Sequence, residues 1–221
     1  MATNQIKFTI IIPIYNGEKY IDGCLKSIFN QIGDNFSYEI LLMIDPSTDK
    51  TLELAKEYAN KYENIRYIEK TQKGVSLSRY QGVRESNNDY IVFVDVDDYL
   101  TKDALQTYAE NIIKHDPGII SCSFYYMDES KNNKLTKNTF KKRKIYNSKD
   151  ALKALFLDTS FRGFLHTKAF KKSLFDKSPL IINNDSDAMF EDTSLMCSLI
   201  THSSKILSID NAVSLINTPV I

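Results

Sequence analysis

The first hundred positions of the chain alternate between short apolar runs and longer segments with helical periodicity. The apolar runs, which are typical of strands buried on both faces of a sheet, lie at 6–15, 38–45, 65–69 and 91–94. Between them, apolar residues recur at three- and four-residue spacing, as in amphipathic helices. This regular alternation predicts an α/β fold with a Rossmann-like, mostly parallel sheet flanked by helices.

Beyond position 101 the pattern is less regular and predicts a smaller α+β portion. A helical period ends at a Pro-Gly break at 116–118, and the apolar run at 119–127 predicts another strand. Further helices are predicted at 151–156 and from about 190, with an irregular stretch at 159–168 between them.

The length of the chain, 221 residues, is sufficient for one large domain with a substantial core. Neither an internal repeat nor a low-complexity linker divides it. We therefore predict a single domain over 1–221, in which 1–100 and 101–221 form two halves.

A basic tract at 131–144 separates the predicted strand from the helix that follows. It contains seven basic residues, no acidic residue and few apolar ones, so we expect an exposed loop or edge hairpin. Such a tract could bind anionic lipid and give peripheral membrane contact, or bind a phosphate-bearing acceptor. A solvated excursion without a partner is the interpretation that we favour.

The overall charge and the cysteines exclude several classes of protein. Twenty-eight basic residues balance 28 acidic ones, so nothing points to nucleic acid as a partner. Three widely spaced cysteines, Cys24, Cys122 and Cys197, are typical of buried thiols in a reducing compartment. Because neither a membrane span nor a signal segment occurs, we expect a cytoplasmic protein, with any contact at the inner face of the membrane made by its surface.

The strand at 91–94 leads directly into three carboxylates, Asp95, Asp97 and Asp98. The carboxyl edge of such a sheet is where α/β proteins bind ligands. Clustered carboxylates repel one another unless a cation compensates, and a divalent Mn or Mg ion could bridge them to phosphate oxygens. A solvated acidic turn before the next helix explains the same residues equally well.

Two common phosphate-binding devices are missing from the sequence. The turn after the first strand reads PIYNG rather than G-x-G-x-x-G, and G-x-x-x-x-G-K-[ST] does not occur. Nicotinamide dehydrogenases and P-loop phosphotransferases therefore become unfavourable candidates, and phosphate binding through a metal becomes the better one.

Four blocks, TIIIPIYNGEKYI, IDPSTDKTLE, GVSLSRYQG and YIVFVDVDDYL, resemble the family 2 glycosyltransferases of the GT-A fold. A weaker similarity continues through FLHTK to the pair Glu191-Asp192. The resemblance implies that Asp192, with Glu191 beside it, supplies the catalytic base. Without the resemblance, acidic residues in a first helical turn would be ascribed to the helix dipole. The resemblance further implies a nucleotide-sugar site formed by Pro13, Tyr15, Asp45, Arg79 and Asp95, and a metal bound by Asp97 and Asp95.

As a function, the resemblance implies an inverting, metal-dependent transfer of a sugar from a nucleoside diphosphate, with UDP expected, to a saccharide or lipid-linked saccharide of a bacterial surface polymer. Ile44 and Tyr80 depart from the family's pattern on the nucleotide side. They support an alternative, a catalytically weak or inactive module that binds a nucleotide sugar or a partner. A nucleotidyltransferase is a third candidate, but it would require a glycine-rich loop after the first strand.

The remaining polar residues give weaker signals. His166 and His202 have no Ser or Cys motif as a partner, and we interpret them as surface or acceptor-cleft residues. Arg162 and Lys168 are candidate acceptor contacts. Family members often extend well beyond Asp192, which leaves open whether the chain is the catalytic portion of a longer protein. The oligomeric state is also left open.

Overall fold

The computed structural model describes residues 5–128, 134–138, 143–157, 162–178 and 191–217. These residues form a ten-stranded sheet and six α-helices. The helices are α1 (Ile21–Phe29), α2 (Thr51–Lys61), α3 (Val75–Glu85), α4 (Ala104–His115), α5 (Ser148–Phe156) and α6 (Glu191–His202). The strands are β1 (Ile6–Ile14), β2 (Phe36–Ile44), β3 (Ile65–Glu69), β4 (Tyr90–Phe93), β5 (Tyr99–Leu100), β6 (Ile119–Asp128), β7 (Lys134–Asn138), β8 (Lys144–Tyr146), β9 (Lys168–Lys171) and β10 (Ile206–Asn217).

The first four strands lie in the parallel order β3-β2-β1-β4. Ile10 of β1 is opposite Ile40 on one side and Val92 on the other. All three side chains are fully buried, because helices cover both faces of the sheet. The predicted parallel sheet is therefore confirmed for this half, with each strand within two residues of its predicted bounds.

The second half joins the same sheet through a strand of opposite direction. β9 lies between β4 and β6 and is antiparallel to both, whereas β10 is parallel to β6. β5 and β8 pair with the outer edge of β10. The sequence pattern predicted neither β9 nor the 12-residue β10, and the stretch taken as irregular ends where β9 begins, at Lys168.

Two hydrophobic clusters cover the two faces of the sheet. One face packs against α1, α2 and α4, with Leu25 and Tyr108 fully buried. The other packs against α3, α5 and α6, with Leu199 and Phe170 fully buried. The molecule thus has three layers, helices on either side of one sheet, as an α/β fold requires.

The basic tract and the cysteines agree in part with expectation. β7 pairs antiparallel with the end of β6, so the hairpin prediction is confirmed for 134–138, while 131–133 and 139–142 lie outside the described residues. Cys24 and Cys122 are buried free thiols, but the free thiol Cys197 is only partly buried. Within the described ranges, no helix has the length and apolar content needed to span a membrane.

Candidate functional site

Three of the predicted site residues follow neighbouring strands at the same edge of the sheet. Tyr15 follows β1, Asp45 follows β2, and Asp95 lies two residues after β4. Because these strands are parallel, their carboxyl ends coincide and bring the three side chains to one edge.

The Ser-Thr-Asp block ties the loops after β1 and β2 together. The Asn16 amide donates to Ser47 Oγ at 3.1 Å, and the Gly17 amide donates to Thr51 Oγ1 at 2.8 Å. The Glu18 amide donates to a carboxylate oxygen of Asp49 at 3.0 Å. This block therefore holds the backbone that presents Tyr15 and Asp45.

The carboxylate of Asp45 is buried and bonded on both oxygens. Lys70 Nζ lies 2.8 Å from Oδ1, and Ser78 Oγ donates to the same oxygen at 2.7 Å. The Gly74 amide donates to Oδ2 at 2.7 Å. Gly74 has a φ of 145°, which a residue with a side chain rarely adopts. The loop before α3 is thus built around Asp45.

Tyr15 stands at the surface with a lysine over its ring. Its side chain is 48% exposed, and Lys73 Nζ lies 3.9 Å from the ring centroid and 2.6 Å from the hydroxyl oxygen. The contact combines a cation–π interaction with a hydrogen bond. It adds a positive charge to the edge where the nucleotide is predicted to bind.

Arg79 connects the donor side of the site to the predicted base. Its guanidinium donates to Asp95 Oδ1 at 2.9 Å and to Asp192 Oδ1 at 2.7 Å. The side chain of Arg79 is largely buried, so water screens both ion pairs only weakly. Arg79 and Asp192 are 113 residues apart in the sequence, and the fold brings them into contact.

Asp95 also has a histidine partner. His166 Nδ1 lies 3.4 Å from Asp95 Oδ2, and the imidazole stacks on Phe164 with ring centroids 5.3 Å apart. One ligand atom each from Asp95, Asp98 and His166 lies within 4.8 Å of the others. Among the described residues, the buried Nε2 of His166 has no hydrogen-bond partner.

The acidic residues of this turn have different electrostatic environments. Burial alone would raise the pKa of Asp95, but the His166 hydrogen bond and the charge of Arg79 hold it well below its usual range. Burial raises the pKa of Asp98 to about 7, although the Asn217 amide donates to it at 3.1 Å. At neutral pH, Asp95 is therefore ionised and Asp98 is partly protonated.

Asp97 points outward and does not join that group. Its side chain is exposed, and partial desolvation together with the charge of Asp95 raises its pKa. The geometry thus adds Asp98 and His166 to the predicted metal ligands Asp95 and Asp97. Two carboxylates and an imidazole suit a divalent transition ion such as Mn²⁺, and the partnerless Nε2 of His166 is consistent with a further ligand there.

The loop that carries His166 is held by a buried lysine and by close packing against α6. Lys168 is fully buried, and its ammonium group donates to the Phe164 carbonyl and to Thr167 Oγ1. A Cβ on Gly163 would come within 2.6 Å of Thr193 Oγ1, so this loop approaches the first turn of α6 closely. The prediction that Lys168 contacts an acceptor is wrong, since no part of its side chain reaches the surface.

The side chains of Ile44 and Tyr80, the two departures from the family pattern, do not join the group formed by Asp45, Arg79 and Asp95. The side chain of Ile44 is buried in the core cluster beneath the sheet edge. Tyr80 lines a separate cavity of about 450 Å³ and accepts a hydrogen bond from Arg84 at 3.1 Å. Pro13 is partly buried at the end of β1. The helix α6 begins at Glu191, and the predicted role of its side chain stays a prediction.

Sequence reasoning missed three cations or potential cations at this edge: Lys70, Lys73 and His166. Lys70 and Lys73 flank the loop before Gly74, where a signal was present in the QKG turn. His166 was noted as an acceptor-cleft candidate but not as a neighbour of Asp95. Its position depends on β9, which the pattern did not predict.

Comparison with known proteins gives consistent matches. The model of glycosyl transferase family 2 matches residues 9–192. The Streptococcus pneumoniae glycosyltransferase GlyA is 36% identical over 124 residues, covering 56% of this chain and 18% of that protein. The Bacillus spizizenii poly(ribitol-phosphate) beta-glucosyltransferase is 40% identical over 102 residues, covering 45% of this chain and 16% of that protein. The chain thus spans less than a fifth of the length of these curated relatives.

The fold itself is that of solved GT-A structures. The crystal structure of Staphylococcus aureus TarS 1–349 in complex with UDP-GlcNAc superimposes with a TM-score of 0.79, at 22% identity, over 98% of this chain and 60% of that one. The family model covers most of the chain, and its matched region contains Tyr15, Asp45, Arg79, Asp95, His166 and Asp192. The chain belongs to glycosyltransferase family 2.

Proposed function

We propose that this chain carries the catalytic site of an inverting, metal-dependent glycosyltransferase. In this proposal a UDP-sugar is the donor, and the acceptor is a saccharide or lipid-linked saccharide of a bacterial surface polymer at the cytoplasmic face of the membrane. One observation supports the proposal most directly. Arg79 contacts both Asp95 and Asp192, so a single side chain bridges the proposed donor-side acid and the proposed catalytic base.

The side chains of the site have separate proposed roles. Pro13, Tyr15 and Asp45 border the nucleobase and ribose, with Arg79 close by and Asp95 nearer the ribose. Asp192, with Glu191 beside it, accepts the proton of the attacking acceptor hydroxyl. A single in-line displacement at the anomeric carbon inverts its configuration.

Asp95 and Asp97 are the proposed metal ligands, and Asp98 and His166 are further candidates from the geometry. A bound divalent ion supplies positive charge that offsets the charge growing on the departing nucleoside diphosphate. The donor is proposed to carry UDP because the TarS structure that shares this fold was solved with UDP-GlcNAc. That the acceptor belongs to a polymer is supported by the name of the Bacillus spizizenii relative, which refers to poly(ribitol-phosphate).

Calorimetric titration of UDP, GDP and CDP, with Mn²⁺ and then with a chelator, tests this proposal. We expect UDP to bind selectively and only with the metal. The variants Asp97→Ala and Asp98→Asn distinguish the two candidate metal-ligating residues. If only one variant loses Mn²⁺-dependent binding of UDP, the residue changed in that variant is the metal ligand. Absence of binding to all three nucleotides by folded protein would refute the transferase and favour the alternative of an inactive module that binds a partner.

A further inference from the structure

A second surface, remote in sequence from the donor site, combines exposed apolar side chains with positive charge. It is formed by β8 and α5, and we call it the β8–α5 surface. It consists of Lys144, Ile145, Lys149, Lys153, Phe156 and Leu157, all of which are exposed.

The apolar part of this surface is unusually concentrated. Phe156, Leu157 and Ile145 are 70%, 59% and 52% exposed. Together they are three of the seven large hydrophobic residues that are exposed in the described part of the chain, yet they fall within 13 positions. Single exposed apolar residues need no explanation, but a group of this kind marks an interaction surface.

The charge of the same segment is strongly biased. Residues 143–157 contain four basic residues and one acidic residue, Asp150, whereas the whole chain has a formal net charge of zero. The Asp150 carboxylate accepts a hydrogen bond from the Asn147 side chain at 3.1 Å, within the cap of α5. The partner that this surface fits is therefore anionic as well as apolar.

The core does not require the exposed apolar side chains. The opposite face of α5 buries Ala151, Ala154 and Leu155 in the same cluster as Met196 and Leu199 of α6. Phe156 and Leu157 lie at the end of the helix outside that cluster. A helix that is apolar inside and carries lysines beside exposed apolar residues outside has the composition of an interfacial helix.

The β8–α5 surface lies on a helix that packs against α6. Ser148, at the start of α5, donates to the carbonyl of Ser203, just beyond the end of α6, at 3.2 Å. Ala151 and Leu155 of α5 share a buried cluster with Leu199 of α6. The surface is therefore carried by the direct neighbour of the helix that contains Asp192.

From these observations we propose that the β8–α5 surface docks the protein on an anionic lipid membrane. Its lysines attract the acidic headgroups, while Ile145, Phe156 and Leu157 enter the boundary between headgroups and acyl chains. Because α5 packs against α6, docking in this way would place the helix that carries Asp192 near the lipid surface, where a lipid-linked acceptor would be presented. The docking itself does not depend on the proposed transferase activity.

Sedimentation of the full chain with vesicles tests the proposal. We expect binding to vesicles of phosphatidylcholine containing phosphatidylglycerol, little binding to phosphatidylcholine alone, and weaker binding in about 1 M salt, where the screening length falls to about 3 Å. The double variant K149E/K153E should weaken partitioning by at least about twenty-fold, because each lysine near an anionic surface contributes about fivefold. The variant F156S/L157S should weaken it by about tenfold or more.

Matched controls change the same kinds of residue elsewhere. Lys56 and Lys102 are exposed lysines on other elements, and Ile32 is an exposed apolar residue 59% accessible to solvent. The variants K56E/K102E and I32S should bind vesicles like the parent chain. UDP titration of every variant, with circular dichroism, separates a docking defect from a defect of folding or of the donor site.

Three outcomes would overturn the proposal. The parent chain could fail to bind anionic vesicles, or the control variants could lose binding as strongly as the test variants. Alternatively, a soluble polyphosphate could bind the surface while F156S/L157S leaves binding to vesicles and polyphosphate unchanged. That last result would assign the surface to a polyanionic chain and not to lipid.

Discussion

The carboxylates that follow β2 and β4 stand at the same sheet edge but are neutralised in different ways. Asp45 is compensated by the buried ammonium group of Lys70, 2.8 Å away. Asp98 has a backbone donor but no lysine or arginine within ion-pair distance among the described residues, and its pKa rises to about 7. The counter-charge of the first acid is therefore internal, whereas for the second we propose a cation supplied from solution.

Acidic residues at the same sheet edge can therefore be of two physical kinds. One kind has its counter-charge inside the protein, and the other does not. Substitution of an acid whose counter-charge is internal should mainly lower the stability of the fold. Substitution of an acid whose counter-charge is external should mainly lower ligand affinity.

The largest expected effect follows from Asp45→Asn. This variant leaves Lys70 buried without a counter-charge, so we expect the free energy of unfolding to fall by about 3 kcal/mol or more. Urea unfolding measures the change. The double variant D45N/K70M should recover most of the loss, because methionine in place of Lys70 removes the uncompensated buried charge. An unfolding midpoint for D45N equal to that of the parent would contradict a stabilising role of the Asp45–Lys70 pair.

Asp95→Asn should have a smaller effect, on affinity. We expect Mn²⁺-dependent UDP binding to weaken by about 2 kcal/mol, roughly thirtyfold, since a charged hydrogen-bonding group is lost. Arg79 retains Asp192 as an ionic partner, so the loss of stability should be smaller than that of D45N. Titration calorimetry and urea unfolding of the same preparation give both values, and a larger loss of stability than of affinity would reverse the assignment.

The pH dependence of Mn²⁺ affinity should depend on Asp98. Its raised pKa, about 7, means that below pH 7 the carboxyl group carries a proton that a bound ion must displace. Affinity should then fall by up to about tenfold for each unit below pH 7, while Asp95, with its lowered pKa, stays ionised. Asp98→Asn should bind more weakly and with a flatter profile. An unchanged slope in D98N would show that Asp98 is not the titrating group.

The smallest expected effect is that of Tyr80→Asn, at one of the two positions that depart from the family's pattern. Because Tyr80 faces the cavity with Arg84 and Phe175, we expect the dissociation constant of UDP to change by less than about twofold, within the range of surface substitutions. Direct titration measures it. A large gain in affinity would mean that Tyr80 does reach the nucleotide.

Much of the half at 1–100 could be predicted from the sequence because its signals are local. Strands β1, β2 and β4 contain continuous apolar runs such as 40–44, and α1 shows a regular apolar period. β10 escaped prediction because exposed Asp210 and Asn211 interrupt its apolar pattern, at the point where the register with β6 shifts. β9 escaped because it has four residues and two of them are lysines.

The site likewise contains features that follow from local sequence and features that depend on tertiary contacts. The sequence placed the carboxylates at the carboxyl edge, since the order of strand and acid determines that position. It could not pair Asp45 with Lys70 or Asp95 with His166, because those contacts depend on tertiary structure. Arg79 was assigned to the nucleotide from its motif, and only the fold shows that it also contacts Asp192.

The antiparallel strand β9 has a consequence for how the chain can be divided. β9 supplies the hydrogen-bonding partner of β4 on one side and of β6 on the other. A shortened chain ending before Lys168 would leave both strands with open edges in the middle of the sheet, and open edges of apolar strands promote association between molecules. Truncation there would therefore yield aggregation rather than a smaller soluble nucleotide-binding unit.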